Sequence, residues 1–261
     1  MSSARSSDGT AYEVVGDGAP VVLIHGLGLA RAMWRDHLPA LAASHRVLLY
    51  DLYGHGESAP APEPVTLSLL AQQVAGVMDH AGWDAAHVVG FSIGGMINRR
   101  FVLDFPERTM SLAILNSPHD RGKGQRAVEE RAQRARDGGA MATFDDALTR
   151  WFTPEHLAHG DGPARVREWR EQVDEASYAD TAWVLAHGVR ELIRPDPPIA
   201  APSLVMTCEN DSGSTPAMSK AIADEIAGAE LHVVPRLRHL GLVEEPALFT
   251  VPLIDFLEQA T

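Results

Sequence analysis

A serine flanked by glycines carries the strongest chemical signal in this sequence. Residues 90–95 read Gly-Phe-Ser-Ile-Gly-Gly, which fits the pattern G-x-S-x-G. The apolar run that ends at Phe91 predicts a strand and the next segment has helical spacing, so Ser92 falls on a sharp strand-to-helix turn. Side chains would clash at the flanking positions of such a turn, which explains the glycines. The turn exposes the Ser92 hydroxyl, and we predict that it acts as a nucleophile.

A histidine and an aspartate follow later apolar runs, where they could activate this serine. His239 is predicted to be the general base and Asp211 to orient it. A carboxylate that accepts the Nδ1 proton of an imidazole holds Nε2 towards the serine. The chain has 12 histidines, so position in the predicted fold selects among them. Glu209 and Asp120 stay open as alternative carboxylates.

A second glycine-rich loop could stabilise negative charge on a reacting carbonyl oxygen. His25-Gly26-Leu27-Gly28 directly follows an apolar run. We predict that the backbone N–H of Leu27 is one donor to the oxyanion and that the N–H of Ile93, next to the nucleophile, is the other. His25 itself is predicted to be a structural loop residue.

Short apolar runs alternate with helical segments along most of the chain. The runs begin near residues 21, 46, 87, 112, 203 and 231. They are apolar on both faces, as strands buried in a parallel sheet must be. The sequence therefore predicts the α/β class, with a doubly wound and mostly parallel sheet. Residues 1–10 are small and polar, and we expect them to be frayed.

The strand pattern stops between residues 118 and 198. This segment, which we call the cap, is predicted to be a helical insertion over the carboxyl ends of the strands. The core would then comprise residues 1–117 and 199–261. Trp151 and Trp183 could line a substrate pocket, although aromatic residues at helical spacing more often pack in a core. Arg121, Lys123 and Arg126 could meet a substrate carboxylate, but a solvated helix face is favoured.

The net charge and the cysteine content limit the classes of partner that we expect for this protein. The formal net charge is −13, so nucleic acid and anionic membranes would be repelled. A local basic site can still lie within an acidic protein, and a small-molecule substrate is expected. Cys208 is the single cysteine, which excludes an intramolecular disulfide and fits a reducing cytoplasm. The N-terminus has no apolar signal region. No apolar stretch reaches the roughly 20 residues needed to span a bilayer. Whether the protein forms a homo-oligomer stays open.

The motifs, taken in order, resemble those of the α/β-hydrolase superfamily. They are His25–Gly28, Asp51–Ser58, Gly90–Gly95, Asp211 and His239. Within the superfamily the chain is similar to the 3-oxoadipate enol-lactonase and carboxylesterase group. The features are Met33-Trp34 after Gly28, Asn116-Ser117 after a strand, and residues 138–154 of the cap.

This resemblance implies an α/β-hydrolase fold and hydrolysis of a carboxylic ester or lactone, with no cofactor and no metal. Ser92 excludes the dehalogenases and epoxide hydrolases, which use an aspartate as nucleophile. Carbon–carbon bond hydrolases and cofactor-free haloperoxidases, perhydrolases or acyltransferases share the serine triad and stay open as alternatives. A non-catalytic binding module on the same scaffold is the remaining alternative, because a fold does not fix a function.

Overall fold

One eight-stranded sheet forms the centre of the protein in the computed structural model, which describes residues 4–260. The strands are β1 (Ala4–Arg5), β2 (Ala11–Val15), β3 (Ala19–Ile24), β4 (His45–Tyr50), β5 (Ala86–Phe91), β6 (Thr109–Leu115), β7 (Ser203–Cys208) and β8 (Glu230–Val234). Their order is β1-β2-β4-β3-β5-β6-β7-β8. Strand β2 pairs antiparallel with β1 and with β4, and the other five pairings are parallel. The predicted mostly parallel sheet is confirmed.

Helices connect the strands and cover both faces of the sheet. They are α1 (Leu38–Leu41), α2 (Leu67–His80), α3 (Gly94–Asp104), α4 (Gln125–Gly138), α5 (Phe144–Trp151), α6 (Pro154–His159), α7 (Gly162–Glu171), α8 (Glu175–His187), α9 (Pro216–Asp224), α10 (Gly241–Glu244) and α11 (Ala247–Gln259). Helix α2 begins where Thr66 caps it, because the Thr66 hydroxyl accepts a hydrogen bond from the N–H of Leu69 at 3.0 Å.

Alternation along the strands divides the core in two. In β3, Val22 and Ile24 pack into the core that contains α2 and α3, whereas Val21 and Leu23 pack into the core that contains α11. All four side chains are fully buried. Successive strand residues point to opposite faces, so a strand covered on both sides must be apolar at every position. This is why the central strands could be recognised as continuous apolar runs.

The N-terminal segment differs from the sequence-based expectation. Residues 1–10 were expected to be frayed, but Ala4–Arg5 forms β1, and Ser6 and Thr10 are buried. Residues 1–3 lie outside the described residues. Strand β2 was not predicted, since its sequence, AYEVV, is only partly buried and contains a glutamate. It pairs antiparallel with β4 near the edge of the sheet, where one polar face is tolerated.

Five helices, α4 to α8, lie between β6 and β7. Helices α4 and α8 pack through small side chains, with Ala132 and Ala135 against Tyr178 and Ala182. This small apolar cluster is separate from the two cores that flank the sheet. Within residues 4–260, no helix has the length and apolar character that crossing a bilayer requires.

Candidate active site

Ser92 lies on a strained turn between β5 and α3. Its φ is 57°, in the left-handed region that residues with a side chain rarely adopt. A Cβ atom on Gly90 would lie 2.1 Å from the carbonyl oxygen of Gly94, and one on Gly94 would lie 2.5 Å from the carbonyl oxygen of Ile24. The N–H of Ser92 donates to the carbonyl oxygen of Leu115 at 2.8 Å. The sharp turn therefore requires glycine at both positions and holds the serine at the carboxyl end of β5.

Ser92, His239 and Asp211 form one hydrogen-bonded chain. The distance from Ser92 Oγ to His239 Nε2 is 3.1 Å, and the distance from His239 Nδ1 to Asp211 Oδ2 is 2.6 Å. All three side chains are buried. With Nδ1 donating to the carboxylate, Nε2 is free to accept the serine proton. The structure thus brings the three predicted residues together in the order that proton transfer needs.

The carboxylate of Asp211 is held by four donors. Gly213 and Ser214 donate their backbone N–H groups to Oδ1 at 2.8 and 2.9 Å, and Asn116 Nδ2 donates to Oδ2 at 2.9 Å beside His239. Burial alone would raise the pKa of Asp211, but the His239 charge and these hydrogen bonds outweigh burial and lower it. Asp211 is therefore ionised at neutral pH.

Asn116 was not recognised from the sequence as part of the site. It follows β6 directly and has a φ of 45°, a conformation that asparagine tolerates better than most residues. This conformation accompanies its hydrogen bond to Asp211. The only sequence signal was an asparagine at the carboxyl end of a parallel strand, where polar residues of α/β proteins collect.

The two alternative carboxylates lie elsewhere. Glu209 Oε2 accepts the backbone N–H of Arg236 at 2.8 Å, and Asp120 Oδ1 accepts that of Gly122 at 2.9 Å. Neither hydrogen-bonds to His239, whose Nδ1 is occupied by Asp211. Asp211 is the carboxylate that the geometry selects.

The two predicted oxyanion donors flank the serine. Leu27 lines the same cavity as Ser92, and Ile93 directly precedes α3. Among the described residues, neither backbone N–H donates to a protein acceptor. Free N–H groups are expected in the first turn of a helix, and both donors are available to a ligand oxygen.

Two neutral histidines fix the loop that contains Leu27. His25 Nδ1 donates to the carbonyl of Gly26, and its Nε2 accepts the N–H of Leu52 at 2.9 Å. His55 Nε2 accepts the N–H of Gly28 at 3.1 Å. Burial lowers the pKa of His25 to about 4 and that of His55 to about 3. Both rings are therefore uncharged at neutral pH and position the loop.

A cavity of about 100 Å³ opens onto Ser92 and His239. Trp151 lines it, with its ring 6.0 Å from the His239 ring. Trp183, the second aromatic residue considered for the pocket, lies elsewhere. Trp183 is 38% exposed, stacks on His187 at 4.1 Å, and is absent from the described lining of the cavity. Its spacing on α8 places it on the outer face of the helix.

The loop that carries His239 is bonded to helix α5. The N–H of Leu240 donates to the carbonyl of Trp151 at 2.9 Å, and Arg238 Nη1 donates to the carbonyl of Phe152 at 3.1 Å. Trp151, which lines the cavity, and His239, the proposed base, are thereby held in fixed positions relative to each other.

Four arginine side chains line the cavity, from α4, α5, α7 and the segment between β6 and α4. They are Arg121, Arg131, Arg150 and Arg170. The sequence favoured a solvated face for Arg121, Lys123 and Arg126. The structure agrees for Arg126, which is 87% exposed and paired with Glu130, but Arg121 faces the cavity. The other three arginines were missed, because an arginine on a charged helix is usually at the surface.

Within the part of the chain that the structure describes, no three histidine, cysteine, aspartate or glutamate side chains are grouped to hold a metal ion.

Several known proteins are similar to this chain in sequence and in fold. The model of the alpha/beta hydrolase family matches residues 21–251. The 3-oxoadipate enol-lactonase 2 of Acinetobacter baylyi is 28% identical over 89% of this chain and 86% of its own length. The (E)-2-((N-methylformamido)methylene)succinate hydrolase of the same organism is 26% identical, over 90% and 89%. The crystal structure of the enol-lactonase from Burkholderia xenovorans superposes with a TM-score of 0.88 at 29% identity, covering 98% of this chain and all of that one.

Proposed function

Because the chain belongs to the alpha/beta hydrolase family, we propose that Ser92, His239 and Asp211 catalyse hydrolysis of a carboxylic ester or lactone of a small molecule. The observation that carries this proposal is the continuous hydrogen-bonded chain from Ser92 Oγ through His239 to Asp211, which opens onto the cavity. The enol-lactonases among the similar proteins support the ester and lactone class.

The reaction proceeds through an acyl-enzyme. Ser92 Oγ attacks the carbonyl carbon while His239 Nε2 takes the hydroxyl proton, and the carbonyl oxygen becomes an oxyanion. The N–H groups of Leu27 and Ile93 bind that oxyanion, and each such donor is worth about 3 kcal/mol in the transition state. His239 then gives the proton to the leaving alkoxide. A water molecule activated by His239 attacks the acyl-enzyme and releases the acid and the free serine.

We propose that residues 118–198 form a cap over this site. Residues 118–198 contribute more than half of the residues that line the cavity, from α4, α5, α7, α8 and the segments beside them. The cap would select the acyl group, and the core would supply the chemistry. A cytoplasmic location is part of the same proposal, supported by the single buried cysteine, Cys208.

Replacement of Ser92 tests the proposed chemistry. Wild type and Ser92→Ala are compared on a short p-nitrophenyl ester and on a carboxylated enol-lactone. We expect kcat to fall on the order of 10⁶-fold, as for removal of a triad serine. Ser68→Ala is the matched control, since Ser68 lies on α2 and bonds to Asp104 far from the cavity. Retention of more than a few per cent of activity by pure Ser92→Ala would exclude Ser92 as the nucleophile.

Labelling separates esterase from non-catalytic function. A fluorophosphonate is expected to modify Ser92 stoichiometrically, as read by peptide mass spectrometry, and an unlabelled serine would favour a binding module. Addition of hydrogen peroxide or an alcohol tests the acyl acceptor. If acyl transfer to either exceeds hydrolysis, perhydrolase or acyltransferase chemistry replaces the proposed one.

A further inference from the structure

The cavity beside Ser92 is strongly cationic in a protein whose formal net charge is −13. Four arginines line it, and Asp211 is the single acidic residue among its described lining residues. The Asp211 carboxylate is already bonded to His239, Asn116 and two backbone amides. None of the four arginines forms an ion pair with a carboxylate in residues 4–260. Asp146 and Asp211 attract Arg150 through space without pairing with it, so no direct ion pair neutralises the positive charge in the cavity.

Two of these arginines are held by neutral protein groups. Arg170 is 1% exposed and donates to the carbonyls of Gly28 and Ala140 and to the Tyr178 hydroxyl. Arg121 donates to the carbonyl oxygens at the end of α8. Both have structural bonds, and both add positive charge to the cavity without being fully available to a ligand.

The other two arginines have free donor atoms. The guanidinium of Arg131, on α4, makes no hydrogen bond or ion pair with any described residue. Arg150, on α5, uses Nε to donate to the backbone carbonyl of Asp146 and leaves both Nη atoms without a described partner. The Asp146 carboxylate pairs with Arg134 at 3.0 Å and attracts Arg131 and Arg150 without a direct ion pair. The cavity thus presents two guanidinium groups from two different helices.

Such an arrangement costs stability in the absence of an anion. Burial, with a smaller effect of the neighbouring Arg150, lowers the pKa of Arg131 to about 10, and burial together with Arg131 lowers the pKa of Arg121 to about 10. Both remain charged at neutral pH. Unpaired charges removed from water are unfavourable unless a partner compensates them. Arginine presents a planar pair of donors that matches a carboxylate.

We propose that the substrate is a small dianion, an ester or lactone that carries two carboxylate groups in addition to the reacting carbonyl. Arg131 and Arg150 bind these carboxylates, and Arg121 and Arg170 contribute to the positive potential. This inference rests on the proposed function for the position of the reacting carbonyl at Ser92.

A surface depression beside the cavity is also cationic. Arg150 also lines this depression, together with Arg236 and Arg238. Clefts lined by charge of one sign concentrate ligands of the opposite sign and raise their association rates. This local field acts against the repulsion that the acidic surface exerts on an anion at longer range.

Three esters with the same leaving group test the charge preference. They are p-nitrophenyl butyrate, mono-p-nitrophenyl glutarate and the mono-p-nitrophenyl ester of tricarballylate, which carry zero, one and two free carboxylates. We expect kcat/KM to rise about tenfold or more with each carboxylate, as charge-assisted hydrogen bonds predict. Equal values for the neutral ester and the dianion would overturn the inference while leaving the proposed hydrolase function intact.

Substitution identifies the residues. Arg131→Met and Arg150→Met keep the length of the side chain and remove its charge. Each is expected to lower the ratio of kcat/KM for the dianion to kcat/KM for the butyrate ester by about tenfold or more. Far-ultraviolet circular dichroism shows whether each variant is folded. Arg126→Met is the matched control on α4, since Arg126 points outward. If both variants keep the wild-type preference, the assignment of these arginines is wrong.

Binding measured without turnover separates this inference from the catalytic one. Calorimetric titration of tricarballylate into the wild-type protein is expected to give at least tenfold tighter binding than butyrate, and Arg131→Met should abolish the difference. If tricarballylate binds in this way but none of the esters is hydrolysed, the anion site stands and the hydrolase proposal fails. If inorganic phosphate binds as tightly as tricarballylate, the cavity is a general anion site and a dicarboxylate substrate is excluded.

Discussion

Replacement of Asp211 by asparagine tests how His239 is oriented, with almost no change in shape. The carboxylate accepts hydrogen bonds from two backbone amides at Oδ1, those of Gly213 and Ser214, and from Asn116 and His239 at Oδ2. Asparagine offers one oxygen and one NH2 group. It can therefore satisfy only one of the two pairs of donors, and the other pair must face a donor.

The oxygen of the new asparagine is expected to face the two backbone amides, because these belong to the chain and cannot rotate away. Its NH2 group then faces His239 Nδ1, which must become an acceptor. His239 consequently carries its proton on Nε2 and cannot take the proton of Ser92. A wrong tautomer of this kind lowers kcat by about 10⁴-fold. At about 1.4 kcal/mol per factor of ten, this is a loss of about 5.5 kcal/mol of transition-state stabilisation.

The assay is the steady-state kcat of Asp211→Asn on p-nitrophenyl butyrate at pH 7. Glu209→Gln is the matched control, since Glu209 lies two residues away and accepts the N–H of Arg236 instead of contacting His239. The control should stay within about twofold of wild type, as expected for a residue outside the reacting groups. A folded Asp211→Asn that keeps more than one tenth of wild-type kcat would refute the orienting role of this carboxylate.

Further predictions concern the loop, the buried histidines and the thiol. Gly28→Ala should lower kcat/KM about a hundredfold. The φ of Gly28 is +68°, and a Cβ atom there would lie 2.1 Å from Arg170 Nε. Gly82→Ala is the control, because its φ is +73° but its surroundings are open, so that it shares only the backbone cost of about 1 kcal/mol. Cys208, whose pKa burial raises to about 12, should resist iodoacetamide at pH 8 until urea unfolds the protein. Burial lowers the pKa values of four histidines, which are His25, His37, His55 and His87. Urea titrations should therefore show a free energy of unfolding that is full above about pH 6.5 and falls towards pH 4. In that range the histidines of the unfolded chain bind protons and those of the folded chain do not. Each of these histidines contributes about 1.4 kcal/mol per pH unit to the fall in the free energy of unfolding. A flat profile would contradict the conclusion that these four histidines are buried and uncharged.

The sequence allowed prediction of the parts of the site that depend on local structure. Ser92 was identifiable because the strand, the turn and the helix that position it are consecutive, and because Gly90 and Gly94 are needed by that turn alone. His239 and Asp211 required one further step, namely that the carboxyl ends of parallel strands meet at one edge of the sheet. The same rule did not identify Asn116, since its role depends on a hydrogen bond made across 95 residues.

The cavity wall could not be predicted because it depends on how helices pack. Arg131 and Trp183 both lie on helices with mixed polar and apolar sequences. The first faces the cavity and the second stacks on the outside, and helical spacing alone does not say which face is inward when the cavity itself is polar. Strand β2 escaped prediction for a related reason, since an antiparallel strand near the edge has no continuous apolar run.

The distance along the chain between Ser92 and His239 has a consequence for synthesis. Their side chains meet at 3.1 Å but are 147 residues apart in sequence. At a typical rate of about 5–20 residues per second, the base follows the nucleophile out of the ribosome after roughly 7–30 seconds. During that interval the nascent chain has a serine elbow with no proton acceptor. Ester cleavage begins only when β8 has joined the sheet. The moment at which turnover starts therefore reports when this late part of the chain has folded.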